Sequence, residues 1–136
     1  MTRNLLTTCI RITQSRGGNT HPSWYSHSLH YSFIVQNNTI LSLGLNRPNT
    51  TNPKHYGYPS YAGLHAEVDA YKKARGILEE NQFELVNIRL LRIKKDEFYQ
   101  IGMAAPCKPC LEFILSQGCT NIYFTTESGL FAKLVM

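Results

Sequence analysis

The chain has no apolar run approaching the roughly 20 residues that a membrane-spanning helix needs. Its opening segment, Met1 to Ile10, has neither the long apolar stretch nor the small-residue cleavage site of a secretory signal. Neither a membrane span nor export is expected, and the expected compartment is the cytoplasm. Acidic residues are few, 9 Asp and Glu against 14 Lys and Arg, for a formal net charge of +5. That balance suits contact with an anion, yet there is no polybasic tail. The densest basic stretch, Arg89 to Lys95, is interleaved with a strand pattern and followed by Asp96 and Glu97. A solvated basic surface is therefore preferred over a nucleic-acid track. Cysteine is limited to 4 residues, at positions 9, 107, 110 and 119. A disulfide framework belongs to short secreted scaffolds, so Cys107 and Cys110 read as a metal or redox pair. Cys9 and Cys119, among apolar neighbours, read as small core residues. Repeats, low-complexity tracts and linkers are missing too, so residues 1–136 are taken as a single domain. A composition that is 43% hydrophobic and 17% charged argues against disorder.

What is present reads as alternating strands and helices. The first fifteen residues fit a short helix only partly, and Ser15 to Pro22, with Gly17-Gly18, is expected as a loop. Tyr31 to Gln36 and Thr39 to Leu45 are β-branched, apolar runs around Asn37-Asn38, the pattern of a hairpin. Asn46 to Gly63 is rich in Asn, Pro, Gly and Tyr without a period, as in a lid or binding loop. His65 to Glu80 carries Ala66, Ala70, Ala74 and Ile77 at helical spacing. Leu85 to Ile93 is a strand, and the chain then loops through Gly102. A second helix runs from Pro106 to Gln117, with Leu111, Ile114 and Leu115 on its buried face and Gly118 at its end. Asn121 to Thr126 and Leu130 to Val135 are strands joined at Ser128-Gly129. The expected class is α/β, a sheet with helices packed on it.

The chemistry-bearing residues open these two helices. Cys107 and Cys110, three apart, share one helical face and can share a metal. A helix N-terminus favours the thiolate form that binds zinc. His65 supplies a third ligand, which leaves one tetrahedral position for water, as in a catalytic site. Glu67 lies too near His65 in sequence to take another vertex but can reach that water as a proton shuttle. The combination H-x-E with a later P-C-x-x-C is the zinc deaminase signature. The bland readings are a capping or core His65, a thioredoxin-like Cys107–Cys110 pair, and a Glu67 that merely suits the helix dipole.

From Tyr31 to Val135 the sequence resembles the cytidine deaminase-like superfamily. The resemblance rests on His65-Ala66-Glu67, on Pro106-Cys107-Lys108-Pro109-Cys110 and on Gly44-Leu45-Asn46-Arg47-Pro48. It implies a five-stranded mixed sheet with the two motif helices side by side. The tight Ser128-Gly129 turn makes the last two strands an antiparallel hairpin, as in the small cytidine deaminases. The resemblance further implies Zn2+ on His65, Cys107 and Cys110, Glu67 as the catalytic residue, and Asn46 at the substrate sugar. The backbone at Ala66 would bind the base carbonyl, and the carbonyl of Ala105 the exocyclic amine. Arg47, beside the presumed sugar contact, and Lys54 and His55 further along are placed to meet a phosphate. The function expected is hydrolytic deamination of a cytosine nucleotide (dCMP or CMP) or nucleoside to the uracil form, by a homo-oligomer. The alternatives are a deaminase of single-stranded DNA or RNA, with Trp24, Tyr25, Arg47 and Lys54 along a groove, and a non-catalytic zinc-binding domain.

Overall fold

A computed structural model describes residues 1–19, 28–46, 65–80, 82–92 and 99–134. Their order is α1 (Arg3–Asn19), β1 (Ser28–Gln36), β2 (Thr39–Leu45), α2 (Ala66–Ala74), β3 (Phe83–Arg92), β4 (Tyr99–Gly102), α3 (Lys108–Ser116), β5 (Cys119–Thr125) and β6 (Phe131–Lys133). The strands form one mixed sheet in the order β2-β1-β3-β5-β6, with β4 also paired to β3. β1 pairs antiparallel with β2 and β3, β3 runs parallel to β5, and β5–β6 is antiparallel. β3 is thus held on both edges. β1 covers one edge, while β5 takes Phe83 to Asn87 and β4 takes Arg89 to Arg92 on the other.

Strand alternation sorts the side chains into two cores. Leu29, Tyr31, Phe33 and Val35 of β1 join Val86, Ile88 and Leu90 of β3 beneath Cys9 of α1. On the other face Ile34, Leu85 and Ile122 pack against Ala70 and Ala74 of α2 and Ile114 of α3. The sheet therefore lies between α1 and the α2–α3 pair. The hairpin between β1 and β2 turns at Asn37 (φ 50°) and Asn38 (φ 59°), the left-handed pair that a type I′ turn requires.

The α/β class, the two motif helices and the closing antiparallel hairpin agree with expectation, but the sheet among the described residues has six strands rather than five. The addition is β4, in the stretch expected to loop through Gly102, where Gln100 and Ile101 pair with Leu91 and Leu90. α1 is also longer than expected and runs through Gly17-Gly18 to Asn19, its buried Cys9 and Thr13 seated on the sheet. α2 is shorter. It stops at Ala74, and Ile77, assigned to its apolar stripe, is 58% exposed. The chain must leave the helix there to enter β3, and the Gln36 amide clasps this connection, accepting from the Glu79 N–H at 2.9 Å and donating to the Gln82 carbonyl at 2.6 Å. On α3, Ile114 is buried and Leu111 half-buried, whereas Leu115 is exposed.

α2 lies unusually close to β2. A Cβ at Gly44 would overlap the carbonyl oxygen of Ala66 and the nitrogen of Ala70, and would sit 2.8 Å from the Ala70 Cα. All of these are backbone atoms of α2, which yield only if the helix moves. Gly44→Ala is expected to destabilise the fold by about 1–3 kcal/mol or more, the range for overpacking. A chemical-denaturation midpoint equal to wild type would contradict this close approach.

Candidate metal centre

The two motif helices start at the same place over the sheet. His65 is the N-cap of α2 and Cys107 the N-cap of α3, both with extended backbone and neither using its side chain to cap. Their carbonyls receive the first helical N–H groups, Asp69 at 3.1 Å and Leu111 at 2.9 Å, so each backbone is committed to its helix. The side chains are left to face one another. His65 Nδ1 lies 3.1 Å from Cys110 Sγ and 3.5 Å from Cys107 Sγ. The ligand atoms of His65, Cys107 and Cys110 all fall within 4.8 Å of one another, a spacing that can hold a metal ion. Pro109, rather than the expected Pro106, occupies the first turn of α3, because Cys107 is the cap.

One imidazole and two sulfurs suit a transition-metal ion of intermediate softness and not magnesium or calcium. Burial lowers the pKa of His65 and so favours the neutral ring that can ligate a metal, an effect that the charge of Glu67 opposes. Burial pushes the thiols of Cys9 and Cys119 each up to about 12, so they stay protonated core residues.

Behind the three ligand atoms is a buried polar floor. Glu67, on the first turn of α2, is 1% exposed. Asn87 Nδ2 donates to its Oε2 at 3.1 Å and to the Ala104 carbonyl at 3.3 Å. Ser32 Oγ donates to Asn87 Oδ1 at 2.6 Å. Glu67 Oε1 is buried and has no hydrogen-bond partner among the described residues. The stretch leading to Cys107 is fixed from the other side, with Ala104 N donating to the Thr125 carbonyl at 2.9 Å and Thr125 Oγ1 to the Gly102 carbonyl at 2.9 Å.

His30, on the same sheet face as Ser32, completes the floor. Burial lowers its pKa, Glu67 opposes that shift, and Arg89 and His65 add to it. Asn46 sits beside it, accepting from the His30 N–H through Oδ1 at 3.0 Å. Asp69 of α2 holds the end of β2 in place, since its Oδ2 accepts from Leu45 N–H and from Lys73 Nζ, each at 3.0 Å.

Of the residues singled out in the sequence, His65, Cys107 and Cys110 thus come together, with Glu67 buried nearby on the first turn of α2. Ala66 is buried at the start of α2, and Ala105 is exposed just before Pro106. Arg47 and most of the Asn46-to-Gly63 loop, with Lys54 and His55, lie outside the described residues, as do Trp24 and Tyr25. His30, Ser32, Asp69, Asn87 and Thr125 were not anticipated. The available signal was polarity at alternate positions of apolar strands, His30 and Ser32 in one and Asn87 in the other.

No protein-family model matches the chain, and no curated protein matches it in sequence. Its fold is similar to that of the dCMP deaminase from the cyanophage S-TIM5, at 17% identity over 93% of this chain and 86% of that one, with a TM-score of 0.57. It is likewise similar to the cytidine deaminase from Burkholderia pseudomallei, at 16% identity over 98% of this chain and 92% of that one, with a TM-score of 0.57. The fold is cytidine deaminase-like.

The contrast among the thiols is directly measurable. In the folded, chelator-treated protein at pH 8, iodoacetamide should modify Cys107 first, while Cys9 and Cys119 remain unmodified until denaturant is added. Early labelling of Cys9 or Cys119, located by peptide mass mapping, would contradict their burial.

Proposed function

We propose that this chain, built on the cytidine deaminase-like fold, is a zinc-dependent hydrolase that converts a cytosine nucleotide or nucleoside to its uracil form and releases ammonia. The observation that carries this reading is Glu67. A buried carboxylate is costly unless it is used or fully paired. Here one oxygen is pinned by Asn87, and the other has no partner among the described residues beside a His/Cys/Cys donor set. A purely structural metal site has no need of that carboxylate.

His65, Cys107 and Cys110 would hold the zinc, and three protein ligands are the number that a catalytic zinc takes. When bound, the ion lowers the pKa of its water toward about 7 and so supplies a nucleophile at neutral pH. Glu67 Oε1 takes a proton from the attacking water and delivers it to the ring nitrogen of the base, which makes the adjacent carbon electrophilic. The water oxygen bonds to that carbon, Glu67 then carries the remaining proton of the added hydroxyl to the amine, and the C–N bond breaks, so that water is consumed and ammonia leaves. The buried floor of Ser32, Asn87 and Thr125 keeps bulk solvent from this proton path. The similar solved structures, a dCMP deaminase and a cytidine deaminase, support a free cytosine compound as substrate.

Within that class a monophosphate is favoured. Arg47 follows directly on Asn46, and Lys54 and His55 are further cations or donors in the same stretch. Charge-assisted bonds to phosphate are stronger than neutral ones.

Glu67→Ala should retain zinc, measured by elemental analysis, and lose about 10²- to 10⁴-fold or more in turnover. Near wild-type ammonia release from that variant would remove Glu67 from the mechanism. Comparing kcat/KM for dCMP, CMP, deoxycytidine, cytidine and a cytosine-containing oligonucleotide should favour a monophosphate, with Arg47→Ala erasing the advantage. A ratio of one between dCMP and deoxycytidine, unchanged by Arg47→Ala, would sink the phosphate preference, and robust oligonucleotide turnover would move the substrate class to polynucleotides.

A further inference from the structure

Glu67 can serve several proton transfers only if the same oxygen faces the reaction each time. A carboxylate on a flexible stem has two equivalent oxygens and can rotate, so something must break the equivalence. We propose that Asn87 is a positioning residue that does this, and that Ser32 in turn locks the Asn87 amide. The inference deepens the deaminase reading and rests on it.

The orientation of the amide follows from its neighbours. The Ala104 carbonyl can only accept, so the part of Asn87 facing it must be the NH2 group. Oδ1 then faces Ser32, whose hydroxyl donates at 2.6 Å. A reversed amide would set Oδ1 against both Ala104 O and Glu67 Oε2, three oxygens with no hydrogen between them. The two Nδ2 hydrogens are thus divided between Glu67 Oε2 at 3.1 Å and Ala104 O at 3.3 Å. Glu67 Oε2 is thereby engaged, and Oε1 is left as the oxygen that takes up and releases protons.

The backbone under this clamp is equally constrained. Asn87 lies in the middle of β3, paired with Ser32 of β1 on one side and Phe124 of β5 on the other. Asn87 and Ser32 are both fully buried. An amide is also neutral: it holds the carboxylate without adding the countercharge that Lys or Arg would bring. Through Ala104, three residues before Cys107, the same nitrogen steadies the approach to α3. One side chain therefore references Glu67 of α2 and the start of α3 to the central strand.

Asn87→Asp keeps the shape and replaces the neutral amide donor by an acid that competes with Glu67 for a proton. It should lower kcat by about 10²-fold, the scale of a misplaced catalytic group, with KM and zinc content at wild-type values. Ser32→Ala keeps the donor but frees the amide to turn, and should give a smaller loss, again in kcat. In a Glu67→Ala background neither change should lower the residual rate further, because both act through Glu67. If Asn87→Asp does not fold, Ser32→Ala carries the same cycle. An undiminished kcat, a loss carried over in full to the Glu67→Ala background, or loss of zinc would overturn the positioning role. One arm is independent of turnover: in side-chain amide NMR spectra the Asn87 protons should be protected from exchange, and Glu67→Ala should shift them and lower the protection of the hydrogen that faces Glu67. If no cytosine compound is turned over, the deaminase reading fails while this spectrum still decides whether Asn87 holds Glu67. An Asn87 signal unmoved by Glu67→Ala would refute the clamp.

Discussion

Two helices have to begin at one point above the sheet, and every feature of the site depends on how that is achieved. His65 and Cys107 each occupy an N-cap, yet neither side chain caps, so atoms that could accept from the first N–H groups are turned instead toward a shared centre. Cys110 joins them from the first turn of α3. Helix N-termini carry partial positive charge, and two converging on one spot favour thiolates and a carboxylate there. The arrangement is stabilising only while negative groups or anions occupy it, which fits Cys107, Cys110 and Glu67 being gathered at these starts. α2 can reach the position because Gly44 lets β2 approach it without a side chain between, and because Asp69 ties the end of β2 to the helix.

The floor beneath the site explains how a carboxylate can remain buried there. Hydrogen bonds to charged groups contribute about 1.5–3 kcal/mol each, and an unmade one costs the desolvation of the group left behind. Glu67 receives one such bond from Asn87, whose own needs are met by Ser32 and Ala104. The remaining oxygen has no partner among the described residues. A chain optimised for stability alone would pair both oxygens or replace Glu67 by an apolar residue. Keeping one oxygen unpaired within the described residues is the kind of local cost that active sites carry elsewhere in the fold.

Much of this was legible in the sequence because the strongest signals were local. The H-x-E and C-x-x-C spacings each fall within one helical turn, and each sits where a helix begins. The Asn37-Asn38 hairpin and the Ser128-Gly129 turn likewise need only adjacent residues. What escaped were features defined across the sheet. Asn87 and Ser32 are far apart in sequence and meaningful only once Ser32 stands opposite Asn87 in the β1–β3 register. β4 is short and exists because the outer half of β3 would otherwise lack a partner on that edge. Gly44 gave no local turn signal, its necessity coming from the backbone of α2. Ile77 had the right spacing for a buried stripe, but the helix ends before it to allow entry into β3.

On the proposed reading His65, Cys107 and Cys110 would together bind one zinc ion and leave it able to take an exchangeable ligand. Zinc K-edge X-ray absorption on the purified protein tests it most directly. One zinc per chain should be found, with two sulfur scatterers at about 2.3 Å and two lighter nitrogen or oxygen scatterers at about 2.0–2.1 Å, the distances for a site with one imidazole and one exchangeable ligand. Protein purified without zinc that cannot be loaded with it, or a shell of four sulfurs, would contradict the account.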